Sequence, residues 1–346
     1  MAVALAEELK RRDSQLEVLF VGARKGLERK LLPALGFPLK TIKIGGLKGV
    51  GLMQIIRTLV QFPASLGAAR TIVRNFLPSI IVGLGGYSSG PVMMAGRSLG
   101  CPLVLIEPNV YPGFTNRALR RWVDGVAVAF EETSEWFAEK ARLTGIPVRR
   151  EFFEVSQDIL VSERLRLLVF GGSQGSRPIN QMVCDALPFL PSDRITLVHQ
   201  TGRDDYMSVQ EKYKAAGVEA EVLGFIQDMP SYMARSDLIL SRAGASTVAE
   251  IAAAGRPAIL VPLPQATDDH QRKNAAVFVK RQAAVVMEQE ETTGRELARV
   301  LVELAGQHDH LRQMAKASRG LAQPGSREKI VDFMEELIEV KQPDGV

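Results

Sequence analysis

Cysteine is scarce in this chain, with two residues in 346, Cys101 and Cys184. Each sits among apolar neighbours without metal-type spacing, which argues against a disulfide scaffold or a cysteine metal cluster and for buried free thiols in a reducing compartment. A basic stretch followed by an apolar one does not open the sequence, so no secretory signal is expected. Long hydrophobic runs are lacking too. The stretch between Arg74 and Arg97 carries no charge, but Pro78, Gly83, Gly85, Gly86, Gly90 and Pro91 break it, which excludes a membrane-spanning helix there. Neither sign of charge dominates: 43 Lys and Arg against 39 Asp and Glu leave a net charge of +4. That mild excess suits an anionic substrate or an anionic lipid surface without requiring either, and no nucleic-acid partner is expected. With 46% hydrophobic and 24% charged residues the chain is not disordered, and 346 residues exceed what one core usually supports. Two domains are expected.

What the chain does contain is one phrase written twice. An apolar strand, a loop of small residues, a short helix, Gly-x-Pro and a second apolar strand run from Ser79 to Glu107 (SIIVGLGGYSSGPVMMAGRSLGCPLVLIE) and again from Asp237 to Pro262 (DLILSRAGASTVAEIAAAGRPAILVP). Around both copies, strand and helix alternate, which predicts parallel sheets covered by helices. The spacing predicts an alanine-rich helix at 2–12, a strand at Leu16–Val21, helices at 25–35 and 51–75, a helix near 115–122 and a strand at Gly125–Phe130. From Arg164 the pattern restarts with RLRLLVFGGSQGSRPINQ, a strand, a Gly-rich turn and a helix with Pro178 in its first turn. Strands at 195–200 and 219–223, the second copy of the phrase, a helix at 271–281, a short strand at 284–287 and two helices follow. A break at 323–326 precedes a final amphipathic helix at 328–340. A domain boundary falls near 147–160.

Three loops have the form that binds phosphate, a strand ending in small residues and turning into a helix whose free N–H groups and positive dipole end face one point. They are Gly171–Ser176, Gly83–Pro91 and Arg242–Thr247. Each can equally be a tight turn without a ligand. The third opens a helix with Glu250 one turn in. That carboxylate either accepts the two hydroxyls of a ribose or simply interacts with the helix dipole.

GGYSSGP at 85–91, EPN at 107–109, FGGSQGS at 170–176, HQTG at 199–202, GFIQDM at 224–229, SRAGASTVAEIAAAGRPAILVPLP at 241–264 and DDHQRKNA at 268–275 occur in that order. Together they resemble the MurG family of peptidoglycan N-acetylglucosaminyltransferases over nearly the whole chain. The resemblance implies an α/β architecture of the GT-B type, two Rossmann-like doubly wound parallel-sheet domains facing a cleft. It implies an acceptor and membrane-facing domain at 1–148, a UDP-sugar-binding domain at 149–325, and a C-terminal helix at 326–346 packing back on the first. The donor it implies is UDP-N-acetylglucosamine. By motif, Ser173 contacts the diphosphate, the Ile226 backbone the uracil, Ala245, Ser246, Thr247, Val248 and Ala249 phosphate and sugar, Glu250 the ribose and Gln271 the sugar hydroxyls. Arg149 and Asn109 also match donor-contact positions. Helix N-termini and one arginine can balance a diphosphate, so neither metal nor cofactor is expected.

The acceptor the resemblance implies is lipid I, the undecaprenyl-pyrophosphoryl muramyl pentapeptide, with its pyrophosphate on Gly85 and Gly86. Membrane contact at the cytoplasmic face of a bacterial plasma membrane is placed on Lys48–Leu66, where Leu52, Ile55, Ile56, Leu59 and Phe62 follow helical spacing beside Lys48 and Arg57. The same stripe would also serve a helix packed on its own sheet.

The chain departs from the family at its start. Family members open with a strand and a GGTGGH-type loop, whereas Met1–Ala4 already read as helix. A strand in that place lies mid-sheet, and its loss would leave two strand edges unpaired, at about 1 to 3 kcal/mol for each buried unsatisfied group. Met1 is therefore expected to be an internal methionine of a longer reading frame. The loop's histidine, a candidate base, is missing, and where members often read HEQN this chain has Ile106-Glu107-Pro108-Asn109. Glu107 is then the one carboxylate in a matching loop, either as catalytic base or as a strand-end group bonding backbone. His199 reads as structural and His308 and His310 as solvated. His270 beside Asp268 and Asp269 suggests a dyad, though Gln271 already accounts for that loop. The expected reaction is a one-step inverting displacement. The alternatives are an epimerase of the UDP-N-acetylglucosamine 2-epimerase kind and a truncated, inactive nucleotide-sugar binder.

Overall fold

Two stretches of chain gather their own cores: residues 1–147 with 325–346 form the first unit, and 148–324 the second. The computed structural model describes residues 1–24, 28–45, 52–155 and 164–341, and only the backbone of Lys30, 52–59 and Thr267.

The second unit is a parallel sheet of six strands, because its strands are apolar runs too hydrophobic to leave either face in water. In chain order it contains β7 (Leu165–Phe170), α7 (Arg177–Ala186), β8 (Ile195–Gln200), α8 (Tyr206–Ala216), β9 (Ala220–Leu223), α9 (Met229–Ala234), β10 (Leu238–Ser241), α10 (Ala245–Ala254), β11 (Ala258–Leu260), α11 (His270–Lys280), β12 (Ala284–Val286), α12 (Gly294–Ala305) and α13 (His308–Arg319). The strands lie in the order β12-β11-β10-β7-β8-β9. Local chemistry sets the helix ends. Thr293 and Glu296 form a reciprocal capping box on α12, and Asp228 accepts from Ser231 N at the start of α9. Leu167, Val169, Leu238, Leu240 and Ile259 of the sheet pack with Ile179, Val183, Leu297 and Leu301 of α7 and α12.

The first unit contains α1 (Ala2–Arg12), β1 (Phe20–Ala23), α2 (Glu28–Ala34), β2 (Leu39–Ile42), α3 (Leu52–Phe76), β3 (Ile81–Gly83), α4 (Ser89–Ser98), β4 (Leu103–Glu107), α5 (Phe114–Leu119), β5 (Gly125–Val128), α6 (Glu131–Ser134) and β6 (Ala141–Leu143). Its last helix, α14 (Ser326–Lys341), returns from the far end of the chain. Here the parallel strands fall into two sheets, β1-β2 and β3-β4-β5-β6. The expected strand at Leu16–Val21 is shifted: β1 pairs β2 only over Phe20–Ala23. The ladder begins where Phe20 N donates to Pro38 O at 3.0 Å, and Pro38, without an N–H, cannot extend it backwards.

Two helices clamp one face of β4 and β5. Leu5 of α1 and Ile330, Val331, Phe333 and Met334 of α14 share a core with Val104, Ile106 and Ala127. At its rim the Arg12 guanidinium meets Glu8 (3.2 Å), Asp332 (2.7 Å) and Glu335 (3.0 Å). The two arginines Arg11 and Arg12 hold the buried Glu8 carboxyl below its usual range. Among the described residues no helix is long and apolar enough to cross a membrane.

Candidate active site

In the second unit the chain leaves β7 towards β8 on one side and β10 towards β11 on the other, so strand order reverses between β7 and β10. In open parallel sheets ligands bind at the carboxyl ends of strands flanking such a reversal. The loops there are 171–176 and 242–244.

The first is locked by glycine. Gly175 and Gly202 have φ of +78° and +86°, and a Cβ on either would lie 1.9 Å from Thr201 O or 2.1 Å from Gln174 O. Backbone therefore sits directly on backbone, which only glycine permits. Gln200 joins a third loop, since its Nε2 donates to Gly172 O at 2.8 Å and its Oε1 accepts from Ile226 N at 3.3 Å. Beneath these, Asn180 Nδ2 donates to Thr201 O (2.9 Å) and Asp205 Oδ2 (3.0 Å). Its Oδ1 must then accept from His199 Nε2 (3.1 Å), which leaves Nδ1 to accept from the Tyr213 hydroxyl (3.1 Å). That network assigns the tautomer. Burial pushes the His199 pKa down to about 3, so the ring is neutral.

The second loop is held by Arg242, which is buried. One guanidinium nitrogen donates to Val261 O (3.1 Å) and Pro262 O (3.2 Å), the other to Ser176 Oγ (2.8 Å) and Gln289 Oε1 (2.6 Å). A single fork thus fixes the loops after β7, β11 and β12 around the start of α10. Desolvation lowers the pKa of this guanidinium. The first turn of α10 has Gly244 at its N-cap and no side-chain cap, so the N–H groups of Ala245, Ser246 and Thr247 face outward with the positive dipole end. An anion is the natural partner.

Ser246, Thr247 and Ala249 are half-buried there, and Val248 points into the core. Glu250, one turn in, is half-buried, and desolvation raises its pKa against a smaller lowering by positive charge, Arg149 included. Arg149 lies over the Phe152 ring at 5.2 Å, and its charge also lowers the Asp228 carboxyl, after the bonds from Ser231. Ser173 is exposed at the loop tip and Ile226 is buried. Gln271 Oε1 accepts from Leu263 N at 3.0 Å, and Asn274 Nδ2 donates to Ala243 O at 3.3 Å. His270 opens α11, half-buried. Arg242, Gln200 and Asn180 carry no site role in the sequence reading. Their positions within quoted motifs, or beside Gly-rich turns, were the available signal.

In the first unit Glu107 ends β4 at 1% exposure. Oε1 accepts from Asn109 N and Nδ2, both at 3.0 Å, and Oε2 from Gly113 N (2.9 Å) and Asn116 Nδ2 (2.8 Å). Of the two readings of Glu107, this geometry favours the group that organises its loop over the base, because both oxygens are engaged. Asn109 turns inward to it. Gly85 and Gly86 follow β3 with φ of +79° and +76°, and Ser89 Oγ donates back to Gly85 O. The membrane-contact segment falls largely outside the described residues: 46–51 are not described, nor are the side chains of 52–59. Phe62 is half-buried on α3.

Two units of parallel strands and helices, the second with an uncapped helix start at its topological switch point, have the architecture of a GT-B glycosyltransferase. Residues 1–128 match the glycosyltransferase family 28 N-terminal domain and residues 166–337 the glycosyltransferase family 28 C-terminal domain. A UDP-N-acetylglucosamine–N-acetylmuramyl-(pentapeptide) pyrophosphoryl-undecaprenol N-acetylglucosamine transferase of Syntrophus aciditrophicus is 42% identical over 335 residues, 95% of this chain and 92% of the relative. The crystal structure of Acinetobacter baumannii MurG superposes with a TM-score of 0.76 at 30% identity, over 97% of this chain and 95% of that one. The chain belongs to glycosyltransferase family 28. A putative UDP-N-acetylglucosamine 2-epimerase of Listeria monocytogenes shares the fold alone, at 13% identity and a TM-score of 0.63 over 94% of this chain and 98% of that one.

Proposed function

We propose that this chain transfers N-acetylglucosamine from UDP-N-acetylglucosamine to the C4 hydroxyl of the muramyl sugar of lipid I, with inversion, giving lipid II for peptidoglycan synthesis. The observation that carries the reading is the start of α10, held open at the switch point by Arg242 and followed by Glu250. The 42% identity with a transferase of that name supports the substrate pair.

The donor diphosphate sits on the N–H groups of Ala245–Thr247 with Ser173 opposite, and Glu250 takes the ribose hydroxyls. Gln271 reaches the sugar, and the Ile226 backbone the uracil. As the anomeric bond breaks, negative charge grows on the departing UDP, where the helix dipole stabilises it without reorganisation. The acceptor pyrophosphate lies on Gly85 and Gly86, which follow β3 as the loop held by Glu107 follows β4. A one-step inversion needs a base for the C4 hydroxyl proton, and none is assigned. The enzyme works as a peripheral protein on the anionic cytoplasmic face of the bacterial plasma membrane, touching it through 48–66.

Labelled UDP-N-acetylglucosamine incubated with and without a lipid I analogue tests the proposal. Lipid-linked sugar formed only with the analogue is the expected result. UDP released equally without it, or binding with no turnover, overturns it.

A further inference from the structure

Side chains set the direction in which α11 starts. Asp268 and Asp269, just ahead of His270, have φ of +55° and +56°, two consecutive residues in the left-handed region that favours glycine. Such a turn persists only where its surroundings hold it. Asp269 N donates to Ala266 O at 3.0 Å and Lys273 Nζ to Asp268 O at 3.3 Å, which ties the turn to its own neighbours. Arg272 ties it to another loop.

The Arg272 guanidinium reaches from the first turn of α11 to Glu288, in the loop after β12. Its Nε donates to both carboxylate oxygens at 3.1 Å and its Nη2 to Oε2 at 2.9 Å, while Nη1 stands 3.9 Å from Asp269 Oδ1. Backbone bonds hold Glu288 in place. Met287 N before it donates to Leu260 O (3.0 Å), and the Glu288 carbonyl accepts from Glu291 N (3.2 Å) and Thr292 N (3.0 Å).

The next residue, Gln289, accepts from Arg242 at 2.6 Å. Successive side chains of one loop thus receive two guanidinium groups, one from the loop ahead of α10 and one from the start of α11. The Arg242 arm braces the place proposed for the diphosphate. The Arg272 arm lies beside Gln271, the residue proposed to reach the sugar. Gln271 Oε1 accepts from Leu263 N at 3.0 Å, which orients the amide, and its Nε2 donors then move with the start of α11.

We propose that Arg272 and Glu288 are positioning residues for sugar recognition: their ion pair sets the direction of the first turn of α11 and so places the Gln271 amide against the hydroxyls of the transferred hexose. The inference rests on the donor reading above. Hydrogen bonds to hydroxyls discriminate between epimers, because a hydroxyl that points the wrong way leaves the polar group of the site unpaired. Loss of the ion pair therefore costs sugar discrimination and spares the nucleotide, whose diphosphate is held by α10.

The test measures, by calorimetry on the whole chain, the binding of UDP, UDP-N-acetylglucosamine and its C4 epimer UDP-N-acetylgalactosamine. The variants are Glu288→Gln, Arg272→Lys, Gln271→Ala and the double variant of Glu288→Gln with Gln271→Ala. Arg272→Lys keeps the charge and loses the two-pronged geometry. Both Glu288→Gln and Arg272→Lys are expected to lower the preference for N-acetylglucosamine by at least about fivefold, with UDP affinity kept within about twofold. In the Gln271→Ala background, Glu288→Gln is expected to change the preference no further, a coupling that a general loosening of the structure would not give. Variants that keep the parent's preference, that lose UDP and sugar-nucleotide affinity in equal measure, or whose effect adds to that of Gln271→Ala overturn the proposal. A parent that binds UDP but prefers neither epimer overturns it too, whereas a parent that binds no UDP overturns the donor reading and the proposal with it.

Discussion

Gly125 and Phe333 are packed so closely that a Cβ on the glycine would lie 2.4 Å from Phe333 Cζ. The contact seats α14 on β5, 208 residues away in sequence. Gly125→Val should destabilise the first unit by about 1 to 3 kcal/mol through overpacking. Both tryptophans, Trp122 and Trp136, belong to that unit, so their fluorescence during urea unfolding reports it. An unchanged midpoint would show that α14 is not seated there.

Arg242→Lys keeps a charge but loses the fork, and one ammonium cannot serve Ser176, Gln289, Val261 and Pro262 together. Losing one or two charge-assisted hydrogen bonds, about 1.5 to 3 kcal/mol each, displaces the loops around α10. We expect UDP to bind at least tenfold more weakly by calorimetry, with KM for the donor rising and kcat changing less. Unaltered UDP affinity in the folded variant would remove Arg242 from the donor site.

Glu107→Gln separates positioning from base catalysis. An amide at this position must turn one N–H group towards donors, among them Gly113 N and Asn116 Nδ2. A positioning role predicts roughly tenfold lower turnover with the acidic limb of the pH–rate profile kept. Loss of that limb together with a drop of about 10²–10⁴ is the signature of a general base, and would return Glu107 to that role.

His199 makes acid stability predictable. Folding lowers its pKa from an ordinary 6.5 to about 3 through burial. Between those values the unfolded chain holds the proton and the folded one does not. The stability contributed by the neutral ring is therefore complete above pH 6.5 and is lost as pH falls below it, at up to about 1.4 kcal/mol per pH unit. Urea midpoints from pH 7 to 4.5 should fall less steeply for His199→Gln than for the parent. Identical slopes would contradict the buried neutral ring.

The second unit's strands were legible because β7, β8 and β10 are short apolar runs closed by Gly-rich or small-residue turns, and the fold class followed from their alternation with helices. β2 at Leu39–Ile42 was not foreseen, since LKTI carries one charge and no strong pattern and depends on pairing with β1. The shift of β1 to Phe20–Ala23 was hidden for a related reason: the ladder to β2 starts only at Phe20, because Pro38 offers no N–H to carry it further back. At the site, the Gly-rich loops and Glu250 stood out because their chemistry is local. Arg242 did not, for its four acceptors come from Ser176, Gln289, Val261 and Pro262, which only folding assembles. Glu107 was visible as a carboxylate. Its four donors were not.

The first unit is interrupted by the whole of the second, and this sets a timetable during synthesis. At about 5 to 20 residues per second, α14 leaves the ribosome roughly 10 to 40 seconds after β5. Throughout that interval Val104, Ile106 and Ala127 lack the helix that covers them, while the second unit, continuous in sequence, can already close. The half made first is completed last, so a chaperone that shields apolar nascent chain has its longest task at the amino-terminal end of this protein.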